Sequence, residues 1–258
     1  MKVMKFGGTS VGSPDRMKNV ASLITESGDP TFVVLSAMSG TTNSLIEISN
    51  YLYKKNPDGA NEVINTLEKK YMQHVEELYS TDEYKEKTRE FLREEFKYMR
   101  SFTKDIFTSF EEKSIVAQGE IMSTNMVLNY LQEQGIKATL LSAFDFMRTD
   151  KNAEPDAQYI KEKLTAIMTE NEGYQIYITQ GFICLNAYGE IDNLQRGGSD
   201  FTASLIGVAL GAEEIQIWTD IDGMHNNDPR IVDETDAIRQ LNFEEAAELA
   251  YFGAKILH

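Results

Sequence analysis

The sequence is poor in the residues that form disulfide frameworks and zinc sites. It has one cysteine, Cys184, and three histidines among 258 residues. A single thiol excludes an intrachain disulfide, and the histidines have no spacing that would hold zinc. Because scarce cysteine is typical of reducing compartments, we expect a cytoplasmic protein in which this thiol is buried and inert.

Basic residues and long apolar runs are scarce as well. Lys and Arg number 25 against 41 Asp and Glu, so the formal net charge is -16 at pH 7. This charge disfavours nucleic acid and anionic membranes as partners. No apolar run reaches transmembrane length, and the N-terminus lacks the pattern of a signal peptide. Any site for a phosphate must therefore be locally basic.

The sequence does contain alternating strand and helix patterns. Hydrophobic residues make up 41% of the chain, which is enough for a core, and the length suits one large α/β domain with an insertion. We predict strands at 2–6, 31–35, 138–141, 175–179 and 215–218, and helices at 13–26, 43–53, 115–133, 156–169, 201–210 and from 242 to about 252. Such alternation predicts a parallel sheet covered by helices, with ligand loops at the carboxyl ends of its strands.

Residues 59–113 show helical patterns only. Apolar side chains recur there every three or four positions, namely Ile64, Leu67, Tyr71, Val75 and Leu78, followed by Leu92, Phe96, Met99, Thr103, Ile106 and Phe110. The intervening charged residues are typical of a solvated helix face. We therefore predict a helical insertion beside the sheet, placed where it helps to close a site.

Glycine pairs occur where two of the predicted helices begin. The stretch 5–10 (KFGGTS) follows the first strand, and 196–200 (RGGSD) opens the helix at 201–210. Adjacent glycines let the backbone turn sharply, so that N–H groups and a helix N-terminus face an anion such as phosphate. Ser13-Pro14 stands where a P-loop would need Lys-Ser/Thr, which excludes a P-loop NTPase. Alone, each pair is also compatible with an ordinary tight turn.

Eight motifs together resemble the aspartokinases of the amino-acid kinase family. In order they are KFGGTS (5–10), LSAMSGTTN (35–43), QGE (118–120), RTDKNAEPD (148–156), ITQGFI (178–183), RGGSD (196–200), WTDIDG (218–223) and FGAKILH (252–258). The resemblance spans the whole chain and implies a three-layer αβα sandwich around a mainly parallel sheet. It also implies phosphorylation of the L-aspartate β-carboxylate by ATP and Mg²⁺, the first step of lysine, threonine and methionine biosynthesis.

The resemblance further assigns roles to individual residues. Lys5 would contact the transferring phosphate, and Asp200 would orient Lys5 or the substrate. The implied aspartate-binding residues are Ser36, Thr42, Glu120, Arg196 and Ser199. The implied nucleotide-binding residues are Lys5, Phe6, Gly7, Gly8, Thr219, Asp220, His225, Arg230 and Lys255. No residue is assigned as a metal ligand, because the resemblance places Mg²⁺ mainly on phosphate oxygens and water.

The implied chemistry is consistent with the residue types. A carboxylate acceptor is ionised at neutral pH and needs no general base, so catalysis depends on positioning and on positive charge around the phosphoryl group. A glutamate suits the amino group of aspartate, and an arginine suits its α-carboxylate.

Two alternatives remain open from the sequence. Another amino-acid kinase, acting on glutamate, acetylglutamate or carbamate, would share the glycine loops without the Glu120 and Arg196 context. A regulatory module would bind ATP without forming a product.

The end of the sequence carries an expectation of its own. It stops at His258 soon after a helix and Lys255, without a polar tail. We expect residues 1–258 to be a catalytic domain truncated at its C-terminus, lacking the ACT regulatory domains of the resembling family and insensitive to lysine and threonine. The full-length protein is expected to be a homo-oligomer.

Overall fold

The computed structural model describes residues 1–104, 106–194, 197–228 and 231–252. The chain forms two compact units, Met1–Trp218 and Thr219–His258. The strands are β1 (Lys2–Phe6), β2 (Thr31–Leu35), β3 (Ala138–Leu140), β4 (Ile176–Gln180), β5 (Ile183–Leu185), β6 (Ile191–Asn193) and β7 (Glu214–Trp218). The helices are α1 (Pro14–Thr25), α2 (Thr41–Tyr53), α3 (Pro57–Leu78), α4 (Asp82–Ser101), α5 (Ser109–Glu133), α6 (Ala143–Phe146), α7 (Ala157–Glu170), α8 (Gly198–Leu210) and α9 (Phe243–Tyr251).

The main sheet of the first unit is parallel throughout the described residues. Its strand order is β3-β4-β2-β1-β7, and β5 and β6 form a separate antiparallel pair. In the register of the sheet, Lys5 of β1 pairs with Val34 on one side and Ile217 on the other. Because neighbouring parallel strands end at the same edge, the loops after β1, β2 and β4 meet there.

Alternate side chains of each strand enter two separate cores. Val3 of β1 and Phe32 and Val34 of β2 belong to one cluster, whereas Met4 and Phe6 belong to the other. The first cluster contains residues of α6, α7 and α8, and the second contains residues of α1 to α5. This period of two, with helices on both faces, confirms the predicted three-layer sandwich around a parallel sheet.

The helical pattern of residues 59–78 is confirmed by α3. The five apolar positions predicted to share a face are all buried, at 4% exposure or less: Ile64, Leu67, Tyr71, Val75 and Leu78. Asn56 caps the helix, since its side chain accepts a hydrogen bond from the Gly59 amide at 3.0 Å. The placement of this segment as an insertion at 59–113 stays a prediction.

The prediction that the second amphipathic pattern continues to Phe110 was wrong. The helix α4 ends at Ser101, and Ile106 is 85% exposed. Thr108 and Glu111 form a capping box, in which the Thr108 hydroxyl accepts from the Phe110 amide at 3.2 Å. This cap starts α5 at Ser109, six residues before the predicted start, because it satisfies N–H groups that the first turn of a helix otherwise leaves unpaired.

Three smaller features complete the description. The short helix α6 lies in a segment for which the sequence predicts no helix, and Ser142 caps it. Cys184 is fully buried, as predicted, and burial raises the pKa of its thiol to about 12. In the second unit, Asn242 and Glu245 form a capping box at the start of α9, and the helix predicted from 242 is confirmed. No helix in the described ranges is long and apolar enough to cross a membrane.

Candidate active site

The centre of the candidate site is an ion pair between β1 and the first turn of α8. Lys5 Nζ lies 2.6 Å from Asp200 Oδ1, and the two side chains are only 12% and 20% exposed. Partial burial strengthens the attraction relative to a fully solvated pair. The structure thus brings together the two residues predicted to be catalytic, at the carboxyl edge of the sheet.

The glycine turn after β1 is locked to the loop after β2. A Cβ on Gly8 would lie 2.6 Å from the Ala37 carbonyl oxygen, so only glycine fits there. The Gly8 carbonyl accepts a hydrogen bond from the Ser39 amide at 3.0 Å. A Cβ on Gly7 would lie 3.5 Å from Lys5 Nζ, which places the ammonium beside the backbone of the turn.

Phe6 differs from its neighbours because its side chain belongs to the core. It is 1% exposed, and its ring stacks on Trp218 with centroids 5.7 Å apart. A contact between Phe6 and a nucleotide would therefore use the backbone of this residue.

Two of the predicted aspartate-binding residues meet across the sheet edge. The Ser36 hydroxyl, after β2, donates to the Ser199 hydroxyl, in α8, at 3.0 Å. A Cβ on Gly181 would lie 2.5 Å from Ser199 Oγ, so the turn after β4 also requires glycine. The next residue, Phe182, has φ +68°, and its amide donates to Thr202 Oγ1 at 3.1 Å. The sequence alone assigns no role to Gly181 or Phe182, although both residues lie in the ITQGFI motif.

Glu120 is buried beneath the same loop. It is 4% exposed; Oε1 accepts a hydrogen bond from the Ala37 amide at 3.2 Å, and Oε2 has no hydrogen-bond partner among the described residues. Burial raises the pKa of Glu120 to about 8. Gly119 makes this packing possible, since a Cβ there would lie 2.7 Å from Ala37 Cβ. The carboxyl group can therefore accept a cation that replaces its lost hydration.

Thr42 lies at the second position of α2. Its side chain is half-buried and makes no hydrogen bond within the described ranges. The preceding residue, Thr41, is fully buried, and its hydroxyl lies 3.1 Å from the Tyr71 hydroxyl. The two threonines thus have different surroundings, since Thr41 is buried and Thr42 is partly exposed.

The second unit contains five of the predicted nucleotide-binding residues, and three of them, Thr219, Asp220 and His225, are among the described residues. Thr219 and Asp220 are exposed, and the Thr219 hydroxyl donates to Asp220 Oδ1 at 3.2 Å. His225 is 8% exposed and forms hydrogen bonds with Asp222 Oδ1 at 2.6 Å and Thr235 Oγ1 at 2.9 Å. The hydrogen bond to His225 holds the pKa of Asp222 below its usual value. The nucleotide-binding roles in this unit stay predictions.

The remaining predicted residues, Arg196, Arg230 and Lys255, lie outside the described residues. In the part of the chain that is described, no group of three or more His, Cys, Asp or Glu side chains is placed to hold a metal ion.

The fold and the site together define a class of α/β proteins. A lysine and two glycine turns at the carboxyl edge of a parallel sheet are suited to an anionic ligand such as a phosphate, and the buried Glu120 is suited to a cationic group beside it. The chain belongs to the amino acid kinase family, whose model matches residues 1–258.

Several relatives are aspartokinases. Lysine-sensitive aspartokinase 3 of Escherichia coli (strain K12) is 34% identical to this chain, with 99% of the chain and 57% of the relative covered. Chloroplastic aspartokinase 1 of Arabidopsis thaliana is 35% identical, with 99% and 46% covered. The solved structure of E. coli aspartokinase III in complex with aspartate and ADP (R-state) gives a TM-score of 0.87 at 34% identity, with 100% of this chain and 57% of that chain covered. The chain thus spans about half the length of the curated relatives it matches.

Proposed function

We propose that this chain is the catalytic domain of an aspartokinase. It transfers the γ-phosphoryl group of ATP to the β-carboxylate of L-aspartate and forms 4-phospho-L-aspartate and ADP. The observation that carries this proposal is the Lys5–Asp200 pair at 2.6 Å, held where two glycine turns meet. Similarity to an aspartokinase solved with aspartate and ADP supports the choice of substrates.

The pair addresses the main obstacle to the reaction. Nucleophile and phosphoryl donor are both anionic, and the acceptor carboxylate needs no deprotonation. A positive charge fixed beside the transferring group stabilises the transition state without reorganisation during the reaction. Asp200 holds the Lys5 ammonium in place before the substrates bind, while the amides of Gly7 and Gly8 assist.

Aspartate would be held by groups of opposite charge. Its ammonium group fits Glu120, whose Oε2 has no hydrogen-bond partner among the described residues. The hydroxyls of Ser36 and Ser199, already hydrogen-bonded to each other, would bind its oxygens together with Thr42. By resemblance, Arg196 binds the α-carboxylate through a bidentate contact.

ATP would bring Mg²⁺ to the site. By resemblance, the ion would be held by phosphate oxygens and water, with Asp200 reaching it through water. Its charge offsets that of the phosphates. By resemblance, the nucleotide is bound by Lys5, Phe6, Gly7, Gly8, Thr219, Asp220, His225, Arg230 and Lys255. We further expect a homo-oligomeric, cytoplasmic full-length protein at the first step of lysine, threonine and methionine biosynthesis.

A hydroxamate assay for acyl phosphate tests the proposal. The purified chain is incubated with MgATP and, separately, with aspartate, glutamate, N-acetylglutamate or carbamate. We expect more acyl phosphate with aspartate than with any of the other three acceptors. Product with another acceptor alone would identify a different amino acid kinase, and nucleotide binding without any product would indicate a regulatory module.

Lys5→Met tests the catalytic assignment. Because the ammonium stabilises charge in the transition state, kcat should fall by about two orders of magnitude or more, while nucleotide binding survives. Lys2→Met is the matched control, since Lys2 lies on the same strand in a more exposed pair with Glu214 at 3.6 Å. A kcat near that of the unmodified chain in Lys5→Met would refute the role.

A further inference from the structure

Helix α3 contacts the candidate site through two consecutive residues. Lys70 Nζ donates a hydrogen bond to the Ser39 carbonyl at 3.0 Å, and the Tyr71 hydroxyl lies 3.1 Å from Thr41 Oγ1. Tyr71 and Thr41 are both fully buried. The helix therefore holds the loop between β2 and α2 at two neighbouring points.

That loop carries much of the proposed aspartate site. Ser36 stands at its start and Thr42 just after its end, and the Ala37 amide between them donates to Glu120 Oε1. Its other side is held by the turn after β1, through the hydrogen bond from the Ser39 amide to the Gly8 carbonyl. A change in the loop would therefore be felt at the aspartate-binding groups.

The first turn of α2 has no side-chain cap. Gly40 is its N-cap and has no side chain to accept from the first amides. The hydrogen bond between Thr41 and Tyr71 connects this turn to α3. Successive residues of a helix point about 100° apart, so fixing Thr41 also fixes the direction of Thr42.

Tyr71 is itself rigidly placed. Its ring packs edge-on against Phe96 of α4, with centroids 5.8 Å apart and planes at 73°. Burial raises the pKa of Tyr71, the hydrogen bond to Thr41 lowers it, and the charge of Glu120 raises it.

We propose that Tyr71 is a positioning residue for the phosphoryl acceptor. Through Thr41 it fixes the first turn of α2 and with it the hydroxyl of Thr42, and Lys70 assists through the Ser39 carbonyl. This inference rests on the proposed function, because the acceptor whose position it sets is L-aspartate.

The test compares two buried tyrosines. Tyr71→Phe removes the hydroxyl that meets Thr41, whereas Tyr79→Phe removes one that donates to the Met126 carbonyl at 2.8 Å, away from the loop. Tyr79 is 3% exposed at the C-terminal end of α3, so both changes remove a buried hydroxyl and leave the ring in place. The two variants should therefore lose similar stability.

The kinetic constants distinguish positioning from a structural role. Tyr71→Phe should raise KM for aspartate about three- to tenfold, with kcat and KM for MgATP within about twofold. Tyr79→Phe should leave all three unchanged. Thr41→Val should raise KM for aspartate as Tyr71→Phe does, and the double variant should add nothing further, because both remove the same contact. Equal KM values for aspartate in Tyr71→Phe and Tyr79→Phe would overturn the proposal.

A second measurement separates this inference from the proposed function. If the unmodified chain binds nucleotide but forms no acyl phosphate from aspartate, the proposed function fails and the acceptor role fails with it. Amide hydrogen exchange of residues 39–42 then tests the contact itself. Faster amide exchange in Tyr71→Phe than in Tyr79→Phe would support the proposal that the hydrogen bond between Tyr71 and Thr41 fixes the first turn of α2. Equal exchange in the two variants would refute it.

Discussion

The ionisation of Glu120 should make aspartate binding depend on pH. Burial raises its pKa to about 8, so about a tenth of the free protein is ionised at pH 7 and about nine tenths at pH 9. An ammonium group is bound by the carboxylate, and apparent affinity scales with the competent fraction. The apparent Kd for aspartate should therefore fall about tenfold between pH 7 and pH 9, and binding at pH 7 should release a proton.

The raised pKa of Glu120 also affects folding stability. Aspartate affinity should increase as pH rises, whereas the free energy of unfolding should decrease. The folded-state pKa of Glu120 lies above its ordinary value, so the stability it contributes is complete below pH 4.5 and is lost as pH rises towards 8. At pH 7 the loss is roughly 3 kcal/mol at 1.36 kcal/mol per pKa unit. Glu120→Gln mimics the neutral carboxyl and keeps an acceptor for the Ala37 amide. It should therefore be more stable than the unmodified chain at pH 7, with the difference vanishing near pH 4.

Titration calorimetry of aspartate into the ADP-bound chain, from pH 6.5 to 9, measures the first effect. Repeating it in buffers of different ionisation enthalpy counts the released protons. Glu120→Gln should bind aspartate weakly at every pH, and Glu90→Gln, which changes an exposed glutamate of α4, should behave as the unmodified chain. A Kd that does not change between pH 7 and pH 9 would refute the reasoning, as would a pH dependence that persists in Glu120→Gln.

Two further predictions concern the glycine turn and the guanidinium. Gly8→Ala should lower the melting temperature clearly, because its Cβ would lie 2.6 Å from the Ala37 carbonyl oxygen. Gly7→Ala should change the melting temperature little, because its Cβ would lie 3.5 Å from Lys5 Nζ. Equal shifts of the melting temperature in the two variants would contradict this. Arg196→Ala should raise KM for aspartate far more than KM for ATP, as it removes a charge-assisted contact to one substrate, and equal rises in the two KM values would point to a folding defect.

The parts of the fold that could be predicted are those encoded locally. The run Thr31–Leu35 reads as a strand because it is apolar from Phe32 onwards, and it is buried throughout. Apolar residues recur every three or four positions from Ile64 to Leu78, and this spacing predicts one buried face of a helix. The strand order β3-β4-β2-β1-β7 was not predicted, because it depends on pairings between distant segments that no local pattern contains.

The candidate site was predictable to a similar extent. The motifs identified Lys5, Asp200 and Glu120, and the structure pairs the first two. Helical spacing predicted that Tyr71 is buried, but no pattern indicates which side chain its hydroxyl meets. The raised pKa of Glu120 likewise depends on how closely α5 packs against the loop after β2, which is decided by tertiary packing at Gly119.

The position of Lys5 and Asp200 along the chain has a consequence for folding. β1 precedes the other described strands along the chain, yet it pairs with β7 as well as with β2, and its lysine meets the helix that immediately precedes β7. Contacts between distant segments slow folding, and a nascent chain cannot make them until both partners have emerged from the ribosome. The ion pair can therefore form only after residue 200 is available, so during synthesis the candidate site would assemble after the strands β1 to β6 have emerged.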